Sequence, residues 1–250
     1  MICPNRMVNE VGQLPTDQLW AGVSSCTPPA AGINGRLLNY TGAQVICSDV
    51  DATIALQNMG TSDLTTVDVA MMQGSTVLNT QSWTGSLTTF DTAHFTFPAT
   101  VVSDPSTVTF EITTPDANAT DNALDPGLSS AIPAMANLTF TLNLDYYCSE
   151  TTWKLINSSG ATVQSGGPYN CSGNGGGADA QPTKTYSWTV PQDCSHMVVY
   201  DAYGDGMASA TYGHAPYGSF HMVDGGGHLV YNGGGNFGAE YLGGLNVNAP

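Results

Sequence analysis

The sequence predicts an all-β chain made of two β-sandwich domains in tandem. Three observations carry that expectation. Thr, Ser, Val and Gly are abundant and helix signals are sparse, which is the composition of many short strands separated by turns. Several segments alternate apolar and polar residues with a period of two, so that one face of each is ready for burial. The composition also changes along the chain: 9 of the 29 glycines precede residue 151 and 20 follow it, while ten of the 11 tyrosines lie at or after Tyr146. Two differently built modules are expected.

Taken in order, residues 1–26 read as the tail of an upstream region or a linker, with a short helix over 16–22 capped by Thr16. The first sandwich is placed at 27–130. Within it, residues 107–113 put Val108, Phe110 and Ile112 on one face. Residues 114–136 carry three prolines and little periodicity, which suits a closing loop followed by a linker at 131–136. The second sandwich is placed at 137–250. It opens with Leu138, Phe140, Leu142 and Leu144 sharing a face, and Tyr186, Trp188 and Val190 do the same further on. Two sheets packed face to face would bury these stripes.

Charge narrows the range of partners. The chain has 250 residues, with Lys plus Arg 4 against Asp plus Glu 20, a formal charge of -16. Nucleic acids and anionic membrane surfaces are recognised through clustered Lys and Arg, so both are excluded as partners. Cations, neutral glycans and basic proteins remain. Hydrophobic residues make up 41% of the chain, enough to argue against disorder, and no apolar run is long enough to span a bilayer.

The six cysteines, Cys3, Cys26, Cys47, Cys148, Cys171 and Cys194, contain no CxxC pair and point to disulfides formed in an oxidising, extracellular setting. Three lie before residue 50 and three after residue 147. Because each group is odd, one cysteine is free, bridges the domains or pairs outside the chain. The first 25 residues lack the pattern of a signal peptide, so a mature or excised piece of a longer secreted chain is expected.

The motifs Asn58 with Gly60, Trp83 with Gly85, and Asp121 with Asn122 resemble the immunoglobulin-like, CARDB-type modules of secreted Bacteroidetes-type proteins over roughly 100 residues. The resemblance implies a spacer or adhesive surface in which these residues are mostly structural. In the second half, Asp145-Tyr146-Tyr147 precedes ETTW at 150–153. SGGPY at 165–169, YDAYGDG at 200–206 and YGSFHMVDGGG at 217–227 follow. This half resembles a glycine-rich C-terminal sandwich with ETxW and DxYGDG signatures, which implies a jelly-roll or CUB-like fold. Cys148 and Cys171 depart from that pattern and suggest a local bridge. Met207 and Ala208 stand where many relatives place cysteines.

The acidic turns are the main candidates for chemistry. Asp201 and Asp205 flank Tyr203 in a glycine-punctuated loop after an apolar strand, and Asp145 and Glu150 lie in a second turn. Calcium takes six to eight oxygens from carboxylates and exposed carbonyls, and four carboxylates gathered in a chain so short of basic residues call for a counter-ion. Asp145, Glu150, Asp201 and Asp205 are therefore the expected calcium ligands. Tyr146, Tyr147, Tyr169, Tyr203, Tyr212 and Tyr217 fall in loops where flat rings can stack on sugar faces.

Other chemistry finds little support. His214, His221 and His228 are seven apart and read as outward strand residues, not a zinc set; His221 alternates with Phe220 and Met222. No GxSxG elbow occurs, and the glycine-rich loops lack the Lys and helix of a phosphate cradle, so no catalytic role is expected. Thr92, in the tripeptide Asp91-Thr92-Ala93, fits the O-glycosylation pattern that the Bacteroidetes resemblance implies.

The expected function is a non-catalytic extracellular adhesion region whose calcium-stiffened loops bind a glycan or another surface. Two alternatives remain: a self-assembling subunit of an extracellular filament or sheath, and the C-terminal accessory region of a secreted metallopeptidase. Unpaired sheet edges would serve the first of these.

Overall fold

The computed structural model describes residue 3 and residues 13–24, 26–172 and 175–247. Helix α1 (Thr16–Ser24) is followed by β1 (Gly35–Thr41), β2 (Val45–Ile46), β3 (Asp49–Asn58), β4 (Leu64–Gln73), β5 (Thr76–Leu87), β6 (Thr92–Val101), β7 (Val108–Ile112), β8 (Ala123–Leu124) and β9 (Ser129–Ser130). Next come β10 (Ile132–Ala134), β11 (Asn137–Asn143), β12 (Thr151–Ile156), β13 (Thr162–Gly166), β14 (Thr183–Thr189), β15 (Asp193–Asp201), β16 (Ser219–Asp224), β17 (Leu229–Gly234) and β18 (Glu240–Val247). The protein is all-β, with its sheets arranged in sandwiches. None of the described helices is long and apolar enough to cross a membrane.

The chain divides into two units. The first takes residues 1–44 and 48–129, and the second takes 130–250 together with Val45–Cys47. Residues 1, 2, 4–12 and 25 of the expected upstream tail lie outside the described residues. The helix there begins at Thr16 itself: the Leu19 N–H bonds to the Pro15 carbonyl (3.0 Å), so Thr16 is the first helical residue and not the cap. No side chain of α1 is buried, and Trp20 is 72% exposed.

In the first unit a three-stranded sheet, β1-β3-β6, faces a four-stranded sheet, β5-β4-β7-β8. The expected stripe is present, since Val108, Phe110 and Ile112 of β7 are all buried. Phe110 meets Phe97 of the opposite sheet with ring centroids 5.1 Å apart. Asn58 shows why its position favours an amide. Its Nδ2 donates to the carbonyls of Ser62 and Leu87 (2.9 and 2.8 Å), and its Oδ1 accepts from the Gly60 N–H (2.8 Å), closing the turn between β3 and β4.

The second unit pairs a five-stranded sheet, β10-β18-β15-β12-β13, with a four-stranded one, β14-β11-β16-β17. Leu138, Phe140 and Leu142 point inward from β11 and meet Trp153, Leu155, Met197, Val199 and Leu245 of the other sheet. Residues 131–136 are not a free linker. Ile132–Ala134 form β10, which pairs in parallel with Leu245–Val247, and the pairing satisfies backbone groups that a linker would leave to water.

Three disulfides, Cys3–Cys26, Cys47–Cys194 and Cys148–Cys171, account for all six cysteines, the covalent pattern of a protein folded in an oxidising compartment. Cys148–Cys171 is the local bridge expected beside ETTW. Cys47–Cys194 joins a cysteine of the early group to one of the late group, which is how two odd sets are both satisfied.

Candidate metal centre

The acidic groups are brought together by a ladder and a loop. Thr151, the first residue of β12, pairs with Asp201, the last residue of β15. Glu150 ends the turn just before β12, so the same antiparallel register continues to set it opposite Ala202, next to Asp201 in the chain, and the Ala202 N–H bonds to its carbonyl (3.0 Å). The chain then folds back over the Asp201 carboxylate. Its Oδ1 accepts from the N–H groups of Gly204 and Asp205 (2.5 and 3.1 Å), a wrap that uses left-handed backbone at Gly204 (φ 96°). One oxygen each from Glu150, Asp201 and Asp205 lies within 4.8 Å of the other two.

The charge distribution of this cluster is unfavourable as it stands. Asp201 is only 5% exposed, and its Oδ2 is shut from solvent without a hydrogen-bond donor. Burial pushes the Asp201 carboxyl above its ordinary value, although the backbone N–H groups of the loop pull the other way. Glu150 is also raised, first by burial and then by the negative charges of Asp201, Asp205 and Asp145. Native proteins rarely leave a buried acceptor unsatisfied.

Of the four carboxylates expected as ligands, Asp145 does not join the group. It is buried, and both of its oxygens are engaged by backbone: Oδ1 by the Tyr147 N–H and Oδ2 by the Ser209 N–H (3.0 Å each). It staples the Tyr147 turn to the segment after the YDAYGDG loop, and only its charge reaches Glu150. Ser209 was not visible as a partner. A lone serine 64 residues from Asp145 carries no signal in sequence, yet it is buried and its hydroxyl donates to the His214 carbonyl (2.7 Å).

Three of the six tyrosines reach the acidic group. Tyr147, Tyr203 and Tyr212 line a hollow of about 190 Å³ together with Glu150 and Asp205. The Asp205 carboxylate holds the Tyr212 phenol above its ordinary pKa. Tyr146 lies flat against His214, with ring centroids 4.0 Å apart. Tyr217 shares a hydrogen bond with Thr211 (3.0 Å) and does not line the hollow. Tyr169 is a correction: its hydroxyl accepts from Trp153 Nε1 and bonds to the Tyr186 hydroxyl (2.9 Å each), so it closes the polar edge of the core instead of facing a ligand.

His221 stands between buried Phe220 and Met222 on β16, as its alternation predicts, and no imidazole joins the acidic group among the described residues. Thr92 is half-buried at the start of β6, opposite Gln57. No protein-family model matches the chain, and no curated protein matches it either. The site belongs to a disulfide-bonded tandem β-sandwich protein and rests on its own geometry.

The raised carboxyls give a test by pH. Without a cation, ionising Glu150 and Asp201 costs the folded state. Their contribution to stability is therefore greatest at low pH and is lost as pH rises through and above their ordinary values of 4.5 and 3.8. A cation holds the ionised forms, and protons compete with it. Calcium bound by these carboxylates would stabilise the fold little near pH 4 and increasingly toward neutrality, read from melting curves with and without calcium. A calcium effect equal at both ends would detach it from these carboxylates.

Proposed function

We propose that the second unit is a non-catalytic, calcium-dependent binding module that engages an extracellular glycan, with the first unit as its spacer. The observation that carries this reading is the undonated, buried Oδ2 of Asp201 beside Glu150 and Asp205. A hard divalent cation would relieve it and offset the mutual repulsion of the three groups. With one oxygen from each, the three side chains supply fewer than the six to eight oxygens calcium takes, so positions stay open toward the hollow. Sugar hydroxyls can fill them while Tyr147, Tyr203 and Tyr212 offer apolar faces to the ring. The three disulfides support an extracellular setting.

Calorimetric titration of calcium into the chelator-treated chain tests the cation, and retention on a polysaccharide panel with and without calcium tests the ligand. Asp205→Ala is expected to remove one calcium ion from the chain's complement together with calcium-dependent retention. A folded Asp205→Ala chain that keeps both overturns the reading.

A filament subunit is supported by one observation: β5 is a 12-residue edge strand with most of its side chains exposed, and such edges accept a strand from another copy. Light scattering that finds monomers at high concentration removes it.

A further inference from the structure

We propose that the first unit holds a second calcium ion, independent of the Glu150 group, bound by Asn34, Asp121 and Asn122. Asn34 immediately precedes β1 and is 1% exposed. Its Nδ2 donates to Asp121 Oδ2 (3.2 Å), so its carboxamide faces that carboxylate. The Asn34 Oδ1 has no donor. Asp121 Oδ1 and Asn122 Oδ1 are in the same condition, each shut from solvent and without a hydrogen bond.

The reason lies in how the loop distributes its donors. Asp116 consumes them: its Oδ2 accepts from the Gly35 N–H (3.0 Å), and its Oδ1 accepts from the Asn118 N–H and from Asn122 Nδ2 (3.2 and 3.3 Å). Asn118 in turn spends its oxygen on Thr120. The knot that ties residues 34 and 35 to residues 116–122 thus directs its N–H groups to Asp116 and to one oxygen of Asp121. Three acceptors remain, and two of them are amide oxygens that cannot be neutralised by taking up a proton at ordinary pH.

A single water has two O–H groups and leaves at least one of the three acceptors unserved. A cation held between them would serve all three at once. Amide and carboxylate oxygens are hard donors, and calcium tolerates the irregular arrangement that a loop provides, whereas magnesium requires a near-ideal octahedron. The two carboxylates, Asp116 and Asp121, supply the negative charge that a divalent ion needs.

The test is calorimetric titration of calcium into the chelator-treated full chain carrying Asp205→Ala, so that the Glu150 group is disabled. One bound calcium ion is expected, together with a rise in the melting transition of the first unit. Adding Asp121→Asn, which keeps the side-chain shape and removes the charge, is expected to weaken that site at least about tenfold, since even outer-shell changes cost a metal site that much. A folded Asp205→Ala chain that binds no calcium at millimolar concentration overturns the proposal and assigns the three oxygens to water. If Asp121→Asn does not fold, the calcium dependence of the first unit's transition in Asp205→Ala decides alone. Retention of two calcium ions by Asp205→Ala would instead count against the Glu150 group and leave this site standing.

Discussion

Replacing Cys47 and Cys194 together by serine is expected to destabilise the second unit by about 4–5 kcal/mol, because the bridge closes a long loop whose entropy returns when it is cut. The sequence separation is 147 residues. Residues 48–129 inside that loop form the folded first unit, so when the second unit melts alone the flexible part is shorter than the full separation. The dependence on loop length is logarithmic, and the shortening removes less than about 1 kcal/mol. Scanning calorimetry of the double variant should lower the second unit's transition and leave the first in place. A shift worth less than about 1 kcal/mol would mean that β18 and its neighbours hold Val45–Cys47 without the bond.

Trp153→Ala is expected to cost about 3–5 kcal/mol, the usual range for deleting a buried indole. Trp153 is 1% exposed and packs edge-on against Phe140 (5.1 Å) and flat against Trp188 (5.5 Å). Its Nε1 also serves Tyr169, which bonds in turn to Tyr186, so the substitution leaves a half-buried phenol pair one donor short. Burial, with the Tyr186 bond second, already pushes the Tyr169 phenol well above its ordinary value. Trp153→Phe keeps much of the packing and loses the N–H. The difference between the two variants in urea denaturation therefore separates cavity from hydrogen bond. Equal losses would leave the N–H without measurable value.

The strands were legible where one face is wet and the other dry. Val108-Phe110-Ile112 and Leu138-Phe140-Leu142 alternate because each lies on a sheet with a partner on one side only. β10 was hidden: three residues containing Pro133 have no period to read, and their partner lies more than 110 residues away. At the site, Glu150, Asp201 and Asp205 were legible because turns announce themselves through glycine and acidic residues. Asp145 looked identical in sequence. Its fate was set by which backbone N–H groups reached it first, and one of these, from Ser209, comes from a distant loop. The role of Tyr169 is hidden for a similar reason, since nothing local says that Trp153 needs an acceptor. Asn34 could not be singled out at all, because its partners at 116–122 join it only through the closing of the first sandwich.

The glycine content of the second unit has a consequence for how this sequence can drift. Gly233 on β17 lies directly across from Phe220 on β16, and the phenyl ring occupies the space where a Cβ at 233 would go. Phe220 cannot step aside, since Phe140, Phe237 and Tyr241 surround it. Positions 220 and 233 are thus locked into coupled inheritance: a methyl gained at one must be preceded by a ring lost at the other, and descendants carrying both an aromatic residue and a side chain there should not be found.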